Sequence, residues 1–85
     1  MPKPIRILLF SSARTVVGRA ELAWTVPSEG TPAATIARDL ARTYPALART
    51  LSASRLVRNG RYLRSPTERV RPGDELAIHP PYGGG

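Results

Sequence analysis

The chain has 85 residues, a formal net charge of +7 and no cysteine. That length supports one domain burying about 60–65% of its unfolded surface. The missing thiols exclude disulfides, a cysteine nucleophile and cysteine-based metal centres. The 41% apolar content is too high for general disorder. No apolar run approaches the roughly 18 residues of a membrane span. Met1-Pro2-Lys3-Pro4 leads directly into a strand pattern without a signal-peptide core, so a cytoplasmic setting is expected. Twelve of the thirteen basic residues are arginine, beside plentiful alanine and proline. This skew reads partly as genome composition, although a basic surface can bind nucleic acid or steer toward an acidic partner.

The first predicted strand spans Ile5 to Phe10, with Ile5, Ile7 and Leu9 on one face and Leu8 and Phe10 on the other. One face should line the core, leaving Leu8 and Phe10 as a candidate apolar patch. Ser11 to Gly18 reads as a connection with one short helical turn closed by the glycine. Arg19 to Val26 alternates again, placing Ala20, Leu22, Trp24 and Val26 on one face, so the first two strands should form an antiparallel hairpin. Thr31 and Pro32 read as a helix cap and first helical residue. Ala33, Ile36, Ala37, Leu40, Ala41 and Tyr44 then follow helical spacing until Pro45 ends the run. Ala46 to Leu51 adds a further short turn with Leu47 and Leu51 inward.

Arg55 to Arg58 and Tyr62 to Arg64 are short strands around Asn59-Gly60, a strong hairpin-turn dipeptide. Thr67 to Val70 reads as irregular, and Pro72-Gly73 as the turn into a last strand, Glu75 to His79. The order is β-β-α-β-β-β, with the strand after the helix expected to pair parallel with the first. This is an α+β, ubiquitin-like β-grasp plan: a mixed sheet of about five strands with one main helix on one face. Residues 1–81 should form the single domain and 82–85 a flexible glycine tail.

The C-terminal end carries the sharpest signal. Pro80 and Pro81 lack N–H donors, so sheet pairing must stop there, and their fixed φ projects the chain away. Gly83, Gly84 and Gly85 have no Cβ and make the slenderest chain available. Such a tail suits threading into another protein's active site to present a terminal carboxylate. The rest of the sequence offers no catalytic constellation: one histidine, His79, six scattered carboxylates, and no nucleotide-cradling glycine loop. The distinctive reactive group is the Gly85 carboxylate. It is a poor acyl donor until ATP-dependent adenylation supplies a leaving group, and the small glycines let the activating enzyme close around it and exclude water.

The whole chain resembles the small-subunit family of molybdopterin synthase, ubiquitin-like sulfur carriers. The resemblance rests on Ile5-Arg6-Ile7-Leu8-Leu9-Phe10, Ala13-Arg14, Val17-Gly18, Asp74-Glu75-Leu76-Ala77, Pro80-Pro81 and Gly84-Gly85. It implies that no cofactor is bound. ATP would be used by a ubiquitin-activating-type enzyme that adenylates Gly85, and a sulfur donor would convert the adenylate to a thiocarboxylate. The tail would then enter the large synthase subunit, in a heterotetramer whose catalytic residues lie on that subunit, and deliver sulfur to a pterin precursor. By the same resemblance Gly84 is the slender neighbour of the sulfur-bearing Gly85, Pro80 and Pro81 aim the tail, and Leu8, Phe10, Ile78 and His79 are docking candidates. Two departures stand out. Gly83 extends the diglycine to three, and His79 sits where an aromatic residue is usual, which makes partner affinity pH-dependent if it is interfacial. Alternatives are a carrier for thiazole, cysteine or transfer-RNA thiolation, or a protein modifier joined to lysines. A nucleic-acid-binding module has only the arginines in its favour, since Tyr62 is the one aromatic among Arg55 to Arg71.

Overall fold

Residues 3–80 are described by the computed structural model. Alternation in the first segment produces β1 (Lys3–Leu9), with Ile5, Ile7 and Leu9 buried and the residues between them facing away. The strand stops one residue earlier than its apolar pattern suggests, because Phe10 turns out to precede a helix. That helix, α1 (Ser11–Val17), is two turns long rather than one. The Phe10 carbonyl opens the helical ladder, accepting from the Ala13 and Arg14 N–H groups. It closes as expected on Gly18, which adopts φ 82° while its N–H donates to the Arg14 carbonyl. β2 (Glu21–Val26) returns antiparallel to β1, with Ile7 opposite Leu22 and Ile5 opposite Trp24.

The expected cap at Thr31 is not formed. Thr31–Pro32 is a short strand, β3, paired antiparallel with β6 (Arg69–Val70), a stretch whose sequence reads as irregular. The ladder claims Thr31, and the helix that follows, α2 (Ala33–Thr43), is capped from a distance. The Ala33 and Ala34 N–H groups donate to the Glu68 and Pro66 carbonyls, both at 2.9 Å. Glu68 itself holds that loop in shape. Its carboxylate accepts from the Arg64 and Ser65 N–H groups and from the Arg58 guanidinium. Ala33, Ile36 and Leu40 of α2 are fully buried, as the helical spacing predicts. A 3₁₀ turn (Pro45–Leu47) and α3 (Ala48–Ala53) follow, with Leu47 buried and Leu51 packed against the core.

β4 (Arg55–Arg58) and β5 (Arg61–Tyr62) form the expected hairpin, shifted by one residue from the predicted second strand. Asn59 and Gly60 both take positive φ, 51° and 83°, the backbone that a two-residue loop between right-twisted strands requires. β7 (Glu75–His79) then enters the middle of the sheet, whose order is β2-β1-β7-β4-β5. β7 is parallel to β1 and antiparallel to β4. The expectation that the strand after the helix pairs parallel with β1 is therefore corrected: the last strand takes that place. The physical reason lies in Leu76-Ala77-Ile78, a continuous apolar run suited to a strand covered on both faces, whereas β4 carries arginine at both ends. The core lies between this sheet and the helices.

Candidate functional site at the root of the C-terminal tail

The sheet has one face under the helices and one without them, and the registers sort residues between the two. Ile7 aligns with Leu76, and Leu9 with Ile78, on the core side. One step out of phase, a row crosses the open face from Glu21 through Leu8, Ala77 and Val57 to Tyr62. Ala77 and Val57 are nearly covered yet stand apart from the core cluster, as residues on the opposite side of the sheet must. Leu8 is half-buried and Tyr62 exposed. The centre of the open face is thus an apolar strip.

Charged and aromatic groups border this strip on its two long sides. On one side, Arg6 donates to both Glu21 carboxylate oxygens, at 3.2 and 2.9 Å, and to Glu75 at 3.2 Å. The hydrogen bond from Arg6 holds the Glu21 carboxyl below its ordinary pKa. All three side chains are open to water, so the cluster orients them more than it stabilises the fold. On the other side, at the end of the sheet where the chain leaves β7, the Phe10 and His79 rings stack with centroids 4.6 Å apart and planes 11° apart. Arg55 lies opposite His79 in the ladder, and its guanidinium sits 5.1 Å above the Tyr62 ring. Pro80 follows directly and is half-buried.

Leu8, Phe10 and His79 therefore gather on one face beside the tail's root. Phe10, 41% exposed, is the largest apolar group offered there after Tyr62. Ile78 does not join them. It is completely buried, aligned with Leu9 and Leu56 on the core side, and is corrected from docking residue to core residue. Pro81, Gly83, Gly84 and Gly85 lie outside the described residues. Sequence reasoning missed Val57 and Ala77, and met Arg55 only as one of six arginines from Arg55 to Arg71 that read as a solvated face or a basic docking surface. Their phase was readable, since Arg55 and Val57 alternate with Leu56, but the neighbour that turns them into one surface is β7, and that pairing is not local.

A helix-backed mixed sheet of five strands, with its last strand between the first and the fourth, defines a ubiquitin-like β-grasp protein. Comparison with known proteins places it more closely. The ThiS family profile matches residues 7–85, and the chain belongs to that family of sulfur carriers. It is 31% identical over 86 aligned positions to the molybdopterin synthase sulfur carrier subunit of Dictyostelium discoideum, covering 100% of both chains. Among solved structures it superposes on the Haloferax volcanii protein HVO 2177 with a TM-score of 0.81 at 26% identity, covering 99% of this chain and 88% of that one. SAMP1 of Haloferax volcanii gives 0.80 at 26% identity, covering 96% and 99%.

Proposed function

We propose that this chain is the sulfur-carrying subunit of a molybdopterin synthase, working in the cytoplasm. The observation that carries the reading is the 31% identity to the Dictyostelium sulfur carrier subunit over the full length of both chains, joined to the Gly84-Gly85 motif. The Gly85 carboxylate attacks the α-phosphate of ATP on a ubiquitin-activating-type enzyme, releasing pyrophosphate and leaving an acyl-adenylate. A sulfide equivalent from a sulfur donor displaces AMP and leaves the thiocarboxylate. The large synthase subunit then receives the tail and the sulfur passes to a pterin precursor. The folded part supplies no reacting group in this scheme. Its tasks are to be gripped through the open face around Leu8, Phe10 and His79, and to hold the tail's root in a fixed place.

The test is the intact mass of the chain after incubation with ATP, a sulfur source and the adenylating enzyme. The expected gain equals replacement of one carboxylate oxygen by sulfur, and it disappears when Gly85 is deleted. No gain with an enzyme that is active on another carrier overturns the reading. Likeness to SAMP1, a small archaeal modifier protein, favours a second use of the same terminus as a lysine modifier. Isopeptide-linked Gly85 on other proteins is the signature of that use.

A further inference from the structure

Beside the apolar strip, on the outer edge of the sheet, lies a groove of about 270 Å³ between β4, β5 and the loop that follows. Its apolar lining is Leu56, Leu63 and Pro66, and Arg55 and Arg64 stand exposed on it. Its two serine hydroxyls are already engaged. Ser54 donates to the Thr50 carbonyl and Ser65 shares a hydrogen bond with Thr67. The two guanidinium groups are a different matter. Of the six arginines between Arg55 and Arg71, Arg58 is paired with Glu68, and Arg69 donates to the Gly30 carbonyl. Arg55 and Arg64 have no carboxylate at ion-pair distance among the described residues.

We infer that this groove is a docking point, separate from the glycine tail and the apolar strip, for an acidic segment of a partner protein that inserts one apolar side chain. Size argues for a side chain over a small-molecule ligand, whose sites typically run to about 300–1,000 Å³ and enclose most of the ligand. The apolar lining argues for a side chain over a bare phosphate, which has no use for it. Nucleic acid would need aromatic faces on which bases stack. Tyr62 is the one aromatic ring at the groove, and Arg55 already covers its face. A net charge of +7 draws an acidic partner from a distance, and the unpaired Arg55 and Arg64 fix where it lands. The assignment does not depend on sulfur transfer and is tested without it.

The experiment is amide-resolved NMR of the isotope-labelled full chain, titrated with the capped peptide Asp-Glu-Leu-Glu-Asp. Controls are the uncharged peptide Asn-Gln-Leu-Gln-Asn and a short oligothymidylate. The acidic peptide should shift amides concentrated within residues 54–66. The double substitution Arg55→Ala with Arg64→Ala should weaken its binding about five- to tenfold, as expected for losing two solvent-facing charge pairs. Lys3→Ala with Arg19→Ala, on β1 and just before β2, toward the opposite edge of the sheet, should leave it unchanged. Both altered pairs are exposed, and the Arg64 backbone bond to Glu68 survives the change, so the variants should fold. Equal shifts from the uncharged peptide, shifts scattered over every arginine surface, no shifts, or tighter binding of the oligothymidylate would each overturn the inference.

Discussion

Replacing Phe10 by alanine tests whether the open face docks a partner, when binding is measured beside stability. Phe10 lies outside β1 and outside the core, its ring touching His79 on one side and open to water on the other. Its side chain retains 41% of its accessible surface. For a ring that buries roughly 200 Å² when fully enclosed, about 80 Å² remains for a partner to cover. At about 25 cal/mol per Å² that is worth about 2 kcal/mol, near a thirtyfold change in affinity. The cost to the fold is at least as large, since the roughly 120 Å² of the ring that the chain already covers is worth about 3 kcal/mol by the same bookkeeping, so binding and stability must be measured side by side. Phe10→Lys should cost binding at least as much, because it also places a charge in a desolvated contact. Calorimetric titration of the large subunit with the wild-type and variant chains measures the affinity, and thermal unfolding of each chain alone measures the fold. A variant that binds as tightly as wild type removes Phe10 from the interface. One that loses binding only in proportion to lost stability removes the argument that the open face docks.

Ile78→Ala should do the reverse, costing about 2–5 kcal/mol of stability measured by urea unfolding, because it empties a fully buried site between Leu9 and Leu56. Gly30→Ala should cost about 1–3 kcal/mol in the same assay. Gly30 holds φ 84°, and an added Cβ would lie 2.8 Å from the Val70 carbonyl oxygen and from Arg71 Cγ. Glu68→Gln should lower the melting temperature at pH 7. Hydrogen bonds from the Arg64 and Ser65 N–H groups, ahead of the Arg58 charge, hold the Glu68 carboxyl below its ordinary value of 4.5. A depressed folded-state pKa contributes stability that is present above pH 4.5 and lost as pH falls through the folded value. Melting curves of wild type and variant should therefore converge below that pH; a constant gap would mean that the charge is irrelevant.

Much of the fold was legible because its signals are local. The α2 face follows from helical spacing, the β4–β5 turn from Asn59-Gly60, and the end of α1 from Gly18. The departures share a cause, which is that each depends on a segment distant in sequence. Thr31 looked like a cap until Val70 paired with it, and α2 takes its first acceptors from residues more than thirty positions away. β7 could not be placed beside β1 from its own residues, and with it went the assignment of Ile78. Alternation alone says that Leu76 and Ile78 share a face, and only the partners Ile7 and Leu9 say which face that is. The imidazole of His79 stacks against the Phe10 ring, a contact that no local pattern in the sequence announces.

The placement of β7 also explains how so small a domain can present a tail without being loosened by its use. A two-sided ladder, parallel to β1 and antiparallel to β4, holds the strand that carries the tail. Leu76 and Ile78 lock it to the core from one side, while Ala77 forms part of the apolar strip on the other. Elements with most buried contact and fewest exposed backbone bonds open last in a native protein. The tail is therefore rooted in the strand most costly to displace, and a partner that grips residues beyond Pro80 works against the whole sheet instead of an edge. Edge placement of β7 would have left one row of its backbone groups open to pairing with that partner, coupling tail capture to unzipping of the domain. Central placement keeps the two apart, and stability rests with Ile7, Leu9, Leu76 and Ile78.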